Sequence, residues 1–192
     1  YANGPLSVLV LVGGGADQTP DSIVDLKTKR TLGTLKGLDK PISLASFSAH
    51  GKRLLIYCAD GNVTQVWDVK KGALLHKLGS SGTEADHRTA VAISADGTRG
   101  VAGFHELRVW DLKTSDERPA MRFPSEGEVL AVGITPDASR VVALTIGKEP
   151  VARIHVFNLE TGALLGLGEV AGELNGDIDQ DLILSPDGNL LV

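Results

Sequence analysis

The chain has one cysteine and one methionine among 192 residues, and its longest uninterrupted apolar run near the start is only VLVLV, Val8 to Val12. A single cysteine excludes an internal disulfide. Cys58 sits inside the apolar stretch LLIYC with no cationic or histidine neighbour close in sequence, so it reads as a small buried hydrophobe and not as an activated thiol. VLVLV falls far short of the roughly 20 apolar residues that span a bilayer. No basic segment precedes it, so neither a secretory leader nor membrane insertion is expected from these residues, and the compartment stays open. Positive charge is also in short supply. Lys and Arg number 19 against 24 Asp and Glu, a net charge of −5 with both signs interspersed. Surfaces for nucleic acid or anionic lipid need a basic excess, so neither partner is expected.

Catalytic and cofactor signatures are missing too. There is no phosphate-binding Gly-Lys-Ser/Thr, and GSSG at 79–82 lacks the spacing of a nucleophile elbow. VLVLVGGGADQ (8–18) starts like a dinucleotide loop, but Gln18 stands where the third glycine belongs and Pro20 follows where a helix should run. His50, His76, His87, His105 and His155 form no i, i+2 or i, i+4 pair, so their spacing proposes no metal site. In NGDIDQDL, Asp177, Asp179 and Asp181 have the 1-3-5 spacing of a calcium loop. The obligatory sixth and twelfth positions are Leu182 and Gly188, so the stretch is read as a solvated acidic loop. No cofactor and no metal are expected.

What is present is a repeat. Ser48-Ala-His-Gly, Ser94-Ala-Asp-Gly, Thr135-Pro-Asp-Ala and Ser185-Pro-Asp-Gly start 46, 41 and 50 residues apart. A second series runs through the same stretch: IVDLKTK (23–29), VWDVKKG (66–72), VWDLKTS (109–115) and VFNLETG (156–162). Its Asp or Asn falls at 25, 68, 111 and 158, at spacings of 43, 43 and 47. Two interleaved signals with one shared period mark a repeat architecture. Short runs rich in Val, Ile and Leu flank each turn, which predicts four strands per unit: before the SPDG-like turn, after it, through the WD-like stretch, and after a second turn. Pro136 and Pro186 stand at the second turn position, where their fixed φ suits a type I or II turn, and Asp-Gly supplies the side-chain bond and the permissive dihedral. LKTKRTLGTLKGL (26–38) carries partly helix-spaced leucines, but Gly33 and Gly37 interrupt it and it aligns with the strand pairs of later units. The strands are apolar on both faces, as in sheets covered on both sides. An all-β chain of four-stranded antiparallel blades, a β-propeller arc, satisfies this. The whole blades are 40–79, 86–124 and 127–168, with partial ones at 6–37 and 179–192.

The pairing of SPDG with VWDVKKG and VWDLKTS resembles the WD-repeat β-propeller family across nearly the whole chain. The Gly-His pair that such repeats place before the first strand is missing. Of the hydrogen-bonded set that the resemblance implies, Trp67, Cys58 and Asp60 occupy three places in one repeat, with Cys where a hydroxyl belongs, so that network is expected to be broken. Trp67, Trp110 and Phe157 share one repeat position and are expected to be structural. Quinoprotein-type propellers are the rival resemblance, through NLETGALL (158–165), but the Trp they place after the glycine is absent. The resemblance implies a non-enzymatic scaffold for a protein or peptide partner, with the remaining blades of a larger propeller expected. The alternative is part of a propeller enzyme, a lactonase-like hydrolase or a quinoprotein-type dehydrogenase, with catalytic residues outside this segment. Contacts are expected from the blade-to-blade loops 36–41, 79–88, 123–128 and 169–180, with Glu84, Asp86, His87 and Arg88 as the candidate binding residues.

Overall fold

The computed structural model describes the backbone of residues 9–12 and, in full, residues 21–35, 38, 41–58, 63–78, 90–103, 105–124, 127–147 and 151–170. Every regular element among the described residues is a strand. The first sheet holds β1 (Leu9–Val12), β2 (Ser22–Asp25) and β3 (Arg30–Thr34). The second holds β4 (Leu44–Phe47), β5 (Arg53–Cys58), β6 (Val63–Asp68) and β7 (Ala73–Leu78). The third holds β8 (Ala90–Ile93), β9 (Arg99–Gly103), β10 (Glu106–Asp111) and β11 (Met121–Arg122). The fourth holds β12 (Glu128–Ile134), β13 (Arg140–Ile146), β14 (Ala152–Asn158) and β15 (Leu164–Glu169).

Each sheet is an antiparallel meander in chain order, the arrangement of propeller blades. The three predicted whole blades and the three-stranded one at the start are all found, and 26–34 is turn and strand, not helix. Residues 179–192 lie outside the described residues. The chain divides into two compact units, 1–85 and 86–192.

The turns explain the repeat. Between the first and second strands, the carbonyls of Ser48, Ser94 and Thr135 each accept the N–H three residues on, at 2.8 Å. The positive φ falls on the fourth residue, Gly51, Gly97 or Ala138, so these are type I turns and not type II, which would need it on the third. Hydroxyl and carboxylate lock the turn. In one copy the Ser94 hydroxyl donates to Asp96 Oδ1 at 2.7 Å and accepts the Arg99 N–H at 2.9 Å. In the next, the Thr135 hydroxyl donates to Asp137 Oδ1 at 2.6 Å and accepts the Arg140 N–H at 3.0 Å.

Between the third and fourth strands the reference Asp or Asn works alike. Its Oδ1 accepts the N–H of Lys27 beside Asp25, Lys71 beside Asp68, Lys113 beside Asp111 and Glu160 beside Asn158, each at 2.9 Å. Four residues after it the chain turns left-handed each time, at Lys29, Gly72, Ser115 and Gly162. The acid of the WD-like stretch is therefore a turn cap. In the last three copies the residue before it is core, with Trp67, Trp110 and Phe157 all about 1% exposed, whereas Val24 in the first is half-buried.

Packing follows the alternation of side chains along each strand. In the first unit, Ile23, Leu35, Leu54, Ile56, Cys58, Trp67 and Val69 join the first two sheets. In the second unit, Val109 and Met121 of the third sheet meet Val141, Ala143, Phe157 and Leu159 of the fourth. The contact between sheets three and four is tight: a Cβ built on Gly103 would fall onto the Val129 side chain.

Candidate functional site

The sequence-predicted contact residues Glu84, Asp86, His87 and Arg88 lie outside the described residues. The described chain brackets them between the end of β7 at Leu78 and the start of β8 at Ala90, so they belong to the connection from a fourth strand to the next first strand. Loops 36–41 and 169–180 fall mostly outside the described residues as well. Of 123–128, Phe123 is described. Its ring meets His155 edge-on at 4.8 Å and Phe157 at 5.8 Å, which pins the start of that connection to the fourth sheet.

The register reveals a polar position that motif reading missed. Three residues before the reference Asp or Asn stand Ser22, Gln65, Arg108 and His155, polar in every repeat. This position shares a strand face with the buried aromatic two residues on. The partners differ from repeat to repeat. Trp67 donates its indole N–H to Gln65 Oε1 at 3.0 Å, entirely within the core. The Trp is therefore partnered on its own strand. Cys58, in the place where the resemblance expects a hydroxyl, is simply buried, as read from the sequence. Asp60 lies outside the described residues. Arg108 is held by Glu106 at 3.1 Å and Glu117 at 2.8 Å. His155 Nε2 pairs with the Thr145 hydroxyl at 2.9 Å, while its Nδ1 is buried without a partner. A period-43 comparison of the third strands, taken residue by residue, contains this signal.

Five titratable groups are shifted by their surroundings in the fold. Asp137 is held well below the ordinary 3.8, at about 2, by the Thr135 and Ser139 hydroxyls and the Ser139 N–H. Asp111 is lowered by the Lys113 N–H and by Arg99, against some desolvation. Burial raises the Asp96 carboxyl, but its bonds from Ser94 and Thr98 outweigh this and leave it lowered. These carboxylates are strongly ionised, which makes them poor proton donors or acceptors near neutral pH. Burial pushes the Cys58 thiol up, with Asp21 adding to it, which disfavours the nucleophilic thiolate. Burial pushes His155 down, with Arg153 adding, so the ring is neutral and shielded from solvent. No group of three or more His, Cys, Asp and Glu side chains among the described residues is placed to hold a metal ion. Among the same residues no helix is long and apolar enough to cross a membrane.

The exposed side of the blades is more distinctive. In the pairing of third and fourth strands the register slips by one residue at the same place, and the extra residue is Leu32, Leu75 or Leu165. All three are at least 38% exposed. In the third sheet the corresponding residue is Arg118, which reaches Glu160 of the fourth sheet at 2.9 Å. The bulged residue therefore points outward, apolar in three sheets and ion-paired in one.

No protein-family model matches the chain. It is 30% identical over 145 residues, 73% of its length, to a WD repeat-containing protein, WDS homolog, of Arabidopsis thaliana, and spans a quarter of the length of that relative. Its backbone is similar to a chain of Kuenenia stuttgartiensis hydrazine synthase, with a TM-score of 0.66 over 88% of this chain and 47% of that one. At 15% identity this likeness is one of fold alone.

Proposed function

We propose that the chain is a WD-repeat-type segment of a β-propeller that serves as a non-enzymatic scaffold for a protein or peptide partner. Its contact surface is the connection 79–88, with Glu84, Asp86, His87 and Arg88 as contact residues. The observation that carries this reading is the engagement of the perturbed titratable side chains. Asp96, Asp111 and Asp137 cap turns, and Cys58 and His155 are core. Within each compact unit the sheets pack through a shared core, and residues on loops carried by such a core are free to vary for recognition. The WD repeat-containing relative supports the same class of role.

The connection 79–88 mixes acids with His87 and Arg88 and carries little apolar side chain. Its partner is therefore met through polar and charged contacts, which govern encounter rate and specificity more than raw affinity. The test replaces Glu84, Asp86, His87 and Arg88 by alanine together. The variant and the parent are immobilised side by side, and the captured partners are compared at low and high salt. The expected outcome is loss of the salt-sensitive partners from the variant with an unchanged thermal midpoint. An identical partner set on both surfaces would remove this patch from the proposal.

A further inference from the structure

Charge is distributed unequally between the two compact units at one end of their sheets. In a meander the turn between the first and second strands and the turn between the third and fourth lie at the same end. In the second unit these turns are rich in acid. Asp96 and Asp137 lock two of them, Asp116 and Glu117 follow in a third, and Glu160 stands in the fourth, bonded to Arg118 at 2.9 Å. The equivalent places in the first unit are basic. His50 stands where Asp96 and Asp137 stand, and Lys52 where Thr98 and Ser139 give their hydroxyls to those acids. Lys27 and Lys70 take the place of Glu160 in the fourth sheet, and Arg30 that of Asp116 in the third.

Lys27, Lys29, Arg30, Lys52, Lys70 and Lys71 are all exposed, and among the described residues none of them is ion-paired. The acids nearest in sequence, Asp25 and Asp68, accept the N–H groups of Lys27 and Lys71 as turn caps. Residues 1–8, which precede the second-strand place of the first sheet, carry no charged side chain. Backbone contacts draw the cations together. The Val69 N–H donates to the Lys52 carbonyl at 3.0 Å, so the Lys52 turn touches the turn that holds Lys70 and Lys71. A Cβ at Gly33 would come within 2.9 Å of the Gly72 Cα, so β3 lies against that same turn. Arg30 is three residues from Gly33, roughly 10 Å along the strand. That is close to the ~8 Å screening length at physiological salt, so the cations repel one another. Lys29 adds backbone strain, holding φ 55° where the second and fourth sheets have Gly72 and Gly162. A lysine kept against both repulsion and strain, where glycine relieves both, is not explained by stability.

We propose that these turns of the first unit dock an acidic peptide, whose Asp and Glu side chains neutralise the cations. All but Arg30 are lysines. An ammonium is a point charge that pairs with a carboxylate from many directions, so a flexible run of carboxylates is matched by spacing and not by planar geometry. Nucleic acid fits less well. No aromatic side chain among the described residues is exposed for base stacking, and a long polyanion reaches beyond the patch to a chain of net charge −5. The surface is separate from the connection 79–88, which follows Leu78 at the far end of β7. The proposal shares with the scaffold reading only the protein nature of the partner, so either surface can fail alone.

The test uses the whole chain and the fluorescence anisotropy of a labelled peptide of alternating Glu and Ser, with a Lys-Ser peptide and oligothymidylate as comparisons. The parent should bind the Glu-Ser peptide, more weakly as salt rises, and leave the Lys-Ser peptide free. Replacing Lys27, Lys52, Lys70 and Lys71 together by Gln should weaken binding at least about tenfold, with a thermal midpoint within about 2 °C of the parent. A matched variant replaces four lysines outside these turns, Lys36, Lys40, Lys77 and Lys148, by Gln, and should bind within about twofold of the parent. Lys29→Gly should raise the midpoint and still weaken binding about twofold, which separates lost binding from lost folding. No binding by the parent at low salt, equal weakening in the two Gln variants, or tighter binding of oligothymidylate than of the peptide overturns the proposal. Alanine at Glu84, Asp86, His87 and Arg88 should leave peptide binding unchanged, so failure of the 79–88 surface and failure of this one are read separately.

Discussion

At the scale of the residue, this chain spends its acids on turns. Asp137 receives two hydroxyls, from Thr135 at 2.6 Å and Ser139 at 2.7 Å, and the Ser139 N–H at 3.0 Å. All three favour the ionised form, which is why the carboxyl titrates at about 2. Its folded value lies below its unfolded one, so the unfolded chain binds the extra proton first on acidification. The stabilisation is complete above about pH 4 and is lost as pH falls through about 2. Asp137→Asn should therefore cost about 1 kcal/mol or less at neutral pH, after allowance for solvent screening. Urea unfolding of parent and variant should converge between pH 4 and 2, and a gap independent of pH would assign the effect to shape instead of charge. The SPDG pattern made this acid visible in the sequence as a turn residue. The turn type was not visible, because it depends on which residue takes positive φ. Ala138 takes it at 54°, in a place where the other described copies have glycine.

At the scale of the element, strand number, order and approximate limits followed from the period. The short apolar runs bounded by turn residues fit four-stranded sheets covered on both faces. The fourth strand of the third sheet is the weakest match. PAMRF yields only Met121–Arg122, because Pro119 cannot donate to the ladder; before it the chain keeps only an isolated bridge to β10, with the Arg118 N–H donating to the Val109 carbonyl at 2.8 Å. Sheet-to-sheet fit is set by which small residue meets which branched one, and that pairing is invisible before the sheets are placed. Gly103 on β9 and Val129 on β12 show it. A Cβ at Gly103 would overlap the Val129 side chain, so Gly103→Ala overpacks the joint between the third and fourth sheets. The expected loss is about 1–3 kcal/mol by chemical denaturation. Val129→Ala alone should also destabilise, by leaving a cavity, but the pair should lose less than the sum, since the added methyl occupies space that the valine vacates. Strict additivity of the two would show that Gly103 is constrained by its backbone and not by Val129. The polar position at Gln65, Arg108 and His155 was legible in principle from the same period, but its partners were not. Gln65 bonds along its own strand and His155 across to β13, a difference that no local pattern encodes.

At the scale of the whole molecule, the sequence was more informative about architecture than about recognition, for a physical reason. A repeat states its core several times over, so each copy corrects the reading of the others, whereas a contact loop occurs once and has no copy to compare with. The same logic predicts how substitutions combine. In repeat proteins stability is close to a sum of local terms and nearest-neighbour interfaces. The left-handed position after each third strand offers a direct test, because it holds Lys29 in the first compact unit and Gly162 in the second. Lys29 bears the steric cost of a Cβ at φ 55°, so Lys29→Gly should stabilise by about 0.5–1 kcal/mol after the entropy of the freed unfolded chain is subtracted. Gly162→Ala should cost about 1–2 kcal/mol from backbone strain alone, since the new methyl meets only the Met121 Cγ, at 3.7 Å. The double variant should equal the sum of the two within about 0.5 kcal/mol. Trp67 and Trp110 place one fluorescent reporter in each unit, so urea midpoints can be read at both, with circular dichroism as the global measure. A larger departure from the sum would mean that these turns communicate, and that the molecule is not the chain of locally stabilised sheets that its repeat implies.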